Sequence, residues 1–563
     1  MYTNDHIAKL IDVVIVGAGF GGMYMLHRAR QLGLSACIIE SGEGVGGTWY
    51  WNRYPGARCD VQSMSYSYSF SEELQERWSW PDRYAAQQDI LRYANHVADK
   101  YDLRRSIVFK TRVTAAHYKA TANKWLLQTD AGHKFAARFC IMATGCLSVP
   151  KTPDIAGLEN FSGEIYHTAN WPPAGVDFTG KRVGLIGTGS SGIQSTPIIA
   201  AEAKQLIVFQ RTPNFSIPAW NAPLTPGEER EIKEHYGELR QKSRISYAGD
   251  WADEYVVSIL ALSEEQREAE FEKRWRQGGF NFQYAFADLL ESEAANRLAA
   301  EFVHRKIREK VRDPAVAEML CPKDHSIGTK RLCVDTNYYE TFNRPNVTLV
   351  DLRATPIQEV IPTAFRTSAQ IIELDCIVLA TGFDAMTGAL TRIDVRGRAG
   401  KSLARQWKHG ARAYLGLAVA GFPNMFIVTG PGSPSVLANM ILACEQHVEW
   451  IADCIHYMKT HRLDTIEATS EAQEEWARKV TESANRTLYP KANSWYVGAN
   501  VPGKPRAFMP FVDGFGIYNK ICERVAAAGY EGFEFSRVSG SADRAWKVYE
   551  AAAPSAYCSE PKQ

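Results

Sequence analysis

The chain has 563 residues, 45% of them hydrophobic and 23% charged, an ordinary globular profile with length for about three to four units of ~150 residues. Lys plus Arg total 64 and Asp plus Glu 63, so there is no basic excess to serve a nucleic acid or an anionic membrane. Eleven cysteines form no C-x-x-C and no zinc spacing, and no apolar run approaches ~18 residues, which argues against a disulfide framework, a metal site, a secretory leader or a membrane span and makes the cytoplasm the expected location.

Taken along the chain, the first patterned segment is Asp12-Val-Val-Ile-Val-Gly17-Ala-Gly19-Phe20-Gly21-Gly22, then a helical stretch and a short strand ending in Glu40. A strand at about 139–142 runs into Ala143-Thr-Gly145. The glycine pattern returns as Arg182-Val-Gly-Leu-Ile-Gly187-Thr188-Gly189-Ser190-Ser191-Gly192, with a helix-like stretch and a strand ending in Arg211. Residues of about 223–320 are densely charged and helix-forming, a helical insert that reads equally as solvated decoration or as a substrate-access element. A further strand ends in the same Ala380-Thr-Gly382. The expected fold is therefore α/β with two Rossmann-like dinucleotide-binding domains. Residues 1–147 form the first part of one domain and 148–382 the second domain with its insert. Residues 383–540 return to the first domain, and 541–563 are a tail with a short helix at about 542–552.

Each glycine loop has strand before it and helix after it, the context that gives G-x-G-x-x-G its meaning. The glycines permit the turn, the approach of backbone to pyrophosphate, and the packing of helix on strand, while the helix N-terminus holds the anion. The residue ending the second strand separates the two sites. Glu40 suits ribose hydroxyls, as in FAD or NAD. Arg211, followed by Thr212, suits a ribose 2′-phosphate, unless it is only a surface ion-pairing residue. The first site thus reads as FAD and the second as NADPH.

Between the two units lies Phe161-Ser-Gly163-Glu-Ile-Tyr-His167-Thr-Ala-Asn-Trp171-Pro172, and earlier Gly46-Gly47-Thr48-Trp49-Tyr-Trp-Asn-Arg-Tyr54-Pro-Gly-Ala-Arg58-Cys59-Asp60. Both resemble signatures of the Baeyer–Villiger monooxygenases, and Gly328-Thr-Lys330-Arg331, Ser494-Trp495 and Gly430-Pro-Gly-Ser-Pro434 resemble the phenylacetone and steroid monooxygenase group. The resemblance implies an FAD-containing enzyme that uses NADPH and O2 to convert ketones to esters or lactones through a C4a-peroxyflavin. It implies Arg331 as the permanent cation that stabilises the developing oxyanion and Asp60 as its partner. For FAD it implies Gly17, Gly19, Phe20, Gly21, Gly22, Glu40, Gly47, Thr48, Trp49, Asp60, Tyr66, Val113 and Met440. For NADP it implies Arg58, Thr188, Gly189, Ser190, Ser191, Gly192, Ile193, Gln194, Arg211, Thr212, Lys330 and Trp495, the last on a mobile loop. Ser435, Val436 and Leu437 would border the ketone, unless their loop is a structural turn. His167 is expected to be conformational rather than a proton carrier.

Three rivals are weighed against this reading. A disulfide reductase needs a redox cysteine pair, and just after the first unit there is only Cys59, with no C-x4-C. An N- or S-oxygenating flavin enzyme shares the layout but not the Trp171-Pro172 ending with Arg331. A non-catalytic flavin sensor needs no such arginine. No partner beyond the small ketone and O2 is expected, with a monomer or weak homo-oligomer as the assembly.

Overall fold

The computed structural model describes residues 10–254 and 256–537; the tail at 541–563, with its expected helix at 542–552, lies outside them. Two sheets organise the chain. The first runs, in spatial order, Asp394–Arg396, Val113–Lys119, Lys124–Thr129, Lys134–Met142, Leu10–Val16, Ala36–Ile39 and Ile107–Val108, with Met425–Ile427 also paired to Lys134–Met142. Its strands thus come from both ends of the described chain. The second is five-stranded and wholly parallel, in the order Val347–Asp351, Gln205–Gln210, Arg182–Ile186, Cys376–Leu379 and Glu164–His167.

The central strands are apolar without alternation because both faces are covered. Val13, Val14 and Ile15 have no exposure, nor do Val183 and Leu185. In each unit the first strand turns sharply into a helix, Phe20–Gln31 or Ser190–Glu202, whose N-cap is a glycine in extended conformation, Gly19 or Gly189. Neither cap supplies a side-chain acceptor, so the first N–H groups of both helices are left for another partner.

The two Ala-Thr-Gly echoes have a structural reason. Gly17 sits at φ +105°, and a Cβ there would stand 2.5 Å from the carbonyl oxygen of Ala143. Gly187 sits at φ +116°, and its Cβ would stand 2.3 Å from the carbonyl oxygen of Ala380. Each glycine loop is seated on the strand end that closes its own sheet. Only glycine tolerates both the dihedral and the approach.

The segment at about 223–320 contains the helices Pro226–Glu234, Tyr236–Ile245, Glu264–Gln277, Glu293–Lys310 and Pro314–Leu320. Their charged faces conceal an aromatic core. Phe271, Phe282 and Phe302 stack on one another with ring centres 5.1–5.7 Å apart, Phe286 meets Phe271 edge-on at 5.0 Å, and Trp275 joins Phe282 edge-on. Arg240 is also buried, bonded to the carbonyls of Met64 and Ser65 and to the Ser67 hydroxyl. The insert is therefore packed against the first unit through specific bonds, which solvated decoration does not require.

No helix among the described residues is long and apolar enough to cross a membrane, and among them no group of three or more His, Cys, Asp or Glu could hold a metal ion.

Candidate active site

A cavity of about 940 Å³ runs between the two glycine loops. Its size is at the upper end of the ~300–1,000 Å³ typical of small-molecule sites. At one end lie Gly17, Gly19, Phe20, Gly21 and Glu40. The Glu40 carboxylate is buried and accepts backbone N–H bonds from Ala18 and Gly42, each at 2.7 Å. Gly47, Thr48 and Trp49 begin a short helix in the same wall, and the Trp49 indole donates to the Tyr66 hydroxyl at 3.2 Å. Val113 and Met440 complete this part. Gly22 does not line the cavity; it is buried where a Cβ would stand 1.9 Å from the Gly17 carbonyl oxygen.

At the other end Arg58, Ser190, Gln194 and Trp495 line the same space. Gln194 fastens the first unit to the second glycine-loop helix: its amide donates to the Arg58 carbonyl at 3.1 Å, and its oxygen accepts from the Tyr54 hydroxyl at 2.9 Å. Thr188, Gly189, Ser191, Gly192 and Ile193 lie beside the cavity rather than in its wall. The Thr188 hydroxyl donates to the Thr212 carbonyl at 2.6 Å, and Ile193 has no exposure.

Arg211 is exposed just past its strand, and both it and Arg353 lie within electrostatic range of Lys330. Burial lowers the Lys330 pKa; Asp324 opposes this, and Arg211 and Arg353 add to the lowering. Arg353 donates to the Thr212 hydroxyl at 3.1 Å and pairs with Asp324. A lysine depressed by burial and by neighbouring cations is relieved by an anion. Arg353 was not singled out in the sequence, though a cation two residues past a strand of this sheet is a readable signal.

Where the two ends meet, Arg331 forms a two-pronged ion pair with Asp60. Its Nε donates to one carboxylate oxygen at 2.7 Å and an Nη to the other at 2.8 Å. The remaining Nη donates to the Val436 carbonyl at 2.7 Å, and the guanidinium carbon lies 5.1 Å from the Phe280 ring centre. Burial alone would lower the Arg331 pKa, but Asp60 outweighs it and holds the group well above its ordinary value. A permanent cation thus faces the cavity with part of its surface accessible, its side chain 26% exposed against 17% for Asp60.

Val436 is in the cavity wall, and Leu437 lines a smaller adjoining space. Ser435 is elsewhere: fully buried, at φ +45°, with its hydroxyl turned to the Thr429 carbonyl at 3.2 Å. Sequence reasoning missed Tyr496, Phe280 and Tyr54. Tyr496 is buried beside Arg331, and burial pushes its pKa up to about 12 although Arg331 opposes the shift.

His167 lies at the junction of the two units. Its Nδ1 accepts from the Ala169 N–H at 3.0 Å, so the proton is on Nε2, which meets the Lys151 carbonyl at 3.2 Å and the Thr381 hydroxyl at 3.3 Å. Burial lowers its pKa, so it is a neutral fastener between the strand exits.

Comparison with known proteins agrees with this layout. Residues 14–260 match the family profile described as pyridine nucleotide-disulphide oxidoreductase. A Baeyer–Villiger monooxygenase of Pseudooceanicola batsensis is 42% identical over 523 residues, covering 92% of this chain and 95% of that protein. Phenazine N-monooxygenase PhzNO1 of Lysobacter antibioticus is 40% identical over 533 residues, covering 94% and 98%. A solved structure of oxidised steroid monooxygenase bound to NADP is 52% identical, with a TM-score of 0.91, covering 94% of this chain and all of that one. At these identities over nearly the full length of both chains, the protein belongs to the Baeyer–Villiger branch of the class B flavoprotein monooxygenases.

Proposed function

We propose that the chain is an NADPH-dependent Baeyer–Villiger monooxygenase that converts ketones to esters or lactones with FAD and O2. One observation supports this above the rest: a charge-fixed arginine, clamped by Asp60 and the Val436 carbonyl, stands in the wall of a cavity that joins two dinucleotide-type glycine loops.

The cavity suits both nucleotides. Adding a Cβ to Gly17 or Gly187 would strike backbone, and the uncapped N–H groups of both helices are ready for phosphate oxygens. FAD would be held by Gly17, Gly19, Phe20, Gly21, Glu40, Gly47, Thr48, Trp49, Tyr66, Val113 and Met440, with Gly22 supporting the turn. NADPH would be held by the loop 188–194, Arg58 and Trp495, with its 2′-phosphate on Arg211, Thr212 and Lys330. When bound, FAD accepts hydride from NADPH and activates O2 as the oxygen donor. Asp60 holds the Arg331 side chain in place, and Arg331 stabilises negative charge on the ketone oxygen. Such a preorganised charge contributes about 3–4 kcal/mol to a transition state. An arginine performs this without donating its proton, whereas a lysine is more readily neutralised when desolvated. Val436, Leu437 and Phe280 give the ketone an apolar wall that excludes water. The chain acts as a monomer or weak homo-oligomer.

The test is NADPH consumption by the FAD-loaded protein with and without ketone. Consumption matched one for one by ester or lactone supports the reading; consumption indifferent to ketone opposes it. A second reading, oxygenation of a heteroaromatic nitrogen, is favoured by the 40% identity to the phenazine N-monooxygenase. Phenazine in the same assay distinguishes the two.

A further inference from the structure

A second cavity, of about 40 Å³, adjoins the large one and shares Arg331, Val436 and Ala438 with it. Its wall is unusually phenolic for a site that handles carbon skeletons: Tyr247, Tyr284, Tyr489 and Tyr496, together with the amide of Gln283. Tyr489 and Tyr496 are 1% and 2% exposed. Among the described residues, no hydrogen bond is made by the hydroxyls of Tyr247, Tyr284 or Tyr489; Tyr247 and Tyr284 bond through backbone N–H groups instead. Burial pushes all three phenols upward in pKa, so they are neutral donors throughout the working pH range.

Tyr247 and Tyr284 are half-buried and Tyr489 is buried, so the three hydroxyls line this space as donors with no protein acceptor of their own among the described residues. The space has room for one small polar group, such as a hydroxyl or a carbonyl oxygen. The rest of the wall, including Val61, Phe280 and Leu437, is apolar and suits a carbon frame. We infer that the substrates are ketones bearing a second oxygen function remote from the reacting carbonyl. Tyr247, Tyr284 and Tyr489 take up that second oxygen while the reacting carbonyl lies at Arg331. This inference rests on the proposed ketone oxygenation and narrows it to a substrate class.

The experiment uses the FAD-loaded enzyme with NADPH, O2 and two matched pairs. These are 4-(4-hydroxyphenyl)butan-2-one against 4-phenylbutan-2-one, and 4-hydroxycyclohexanone against cyclohexanone. A site built to bond a hydroxyl discriminates strongly against the analogue lacking it, so kcat/KM for the oxygenated member should exceed that of its partner roughly 10-fold or more in at least one pair. In Tyr284→Phe and Tyr489→Phe that ratio should shrink toward one. Equal kcat/KM within both wild-type pairs overturns the inference while leaving ketone oxygenation standing, and this comparison needs no variant to fold. Absence of oxygenated product from all four ketones overturns the monooxygenase reading and the inference together.

Discussion

Asp60 and Arg331, 271 residues apart, meet as a two-pronged ion pair that spans the two halves of the site. Asp60 ends the signature that follows the first glycine unit. Arg331 stands two residues before the strand Cys333–Asp335. On the proposed function the pair is both a catalytic element and a fastener, and the two roles separate on mutation. Arg331→Ala should reduce ketone-dependent turnover roughly 10²–10³-fold, measured as kcat with saturating NADPH. Arg331→Lys should not restore it, because an ammonium reproduces neither the fork nor the bond to the Val436 carbonyl. Asp60→Ala should lower both turnover and stability, the latter by about 1–3 kcal/mol, since the arginine it strands keeps partial access to water.

The glycine loops give a prediction with a different readout. Gly17→Ala forces a side chain onto the Ala143 carbonyl at a positive φ, a strain of about 1–3 kcal/mol. The purified variant should carry markedly less FAD per chain, read from its visible absorbance. Gly187→Ala should keep its FAD and instead raise KM for NADPH.

Much of this was legible in the sequence because it is local. The glycine loops, the Ala-Thr-Gly strand ends and the switch from Glu40 to Arg211 are written in short segments whose geometry the backbone imposes. The pairing of Asp60 with Arg331 was not legible from the residues themselves; only family resemblance brought them together. Ser435 was placed against substrate, but its left-handed backbone turns the hydroxyl inward to Thr429, and no residue type announces that turn. The dense charges and sparse apolar positions of the insert leave solvated decoration and substrate access equally open, because the sequence does not show that Phe271, Trp275 and Phe302 share a buried face. The role of His167 depends on the fold, in which its ring bridges Lys151, Ala169 and Thr381, residues that no local pattern brings together.

Cofactor choice should depend on the cluster at the end of the second unit. Lys330→Gln removes a cation held beside Arg211 and Arg353. KM for NADPH should rise about 10-fold, as loss of a charge-assisted phosphate contact demands, while KM for NADH changes little. Steady-state kinetics with both nucleotides check this; equal effects on the two would place the 2′-phosphate elsewhere.

Acid sensitivity should come from His447. Its Nδ1 accepts the Thr429 N–H at 2.9 Å, its Nε2 meets the Tyr518 hydroxyl at 2.9 Å, and burial depresses its pKa to about 3. The folded state therefore prefers neutral imidazole. Its stabilising contribution is complete above the unfolded pKa near 6.5 and is lost as pH falls from there toward 3, by about 2 kcal/mol between pH 6.5 and 5. Glu445, raised by burial to about 7, acts in the opposite direction, losing stability as pH rises from about 4.5 to 7. Thermal unfolding of His447→Gln across pH 4–7 should show a lower Tm at neutrality and a flatter acid limb than the wild type.

The proposed function requires oxygen to be delivered to a ketone held at Arg331. The most direct measurement is mass spectrometry of the product formed by the FAD-loaded wild-type enzyme from NADPH, a ketone and ¹⁸O2. The expected product is an ester or lactone carrying one ¹⁸O atom beside the original carbonyl oxygen, nearly absent from Arg331→Ala. Labelled hydrogen peroxide as the sole oxygen product, with every ketone recovered intact, would contradict the proposed function.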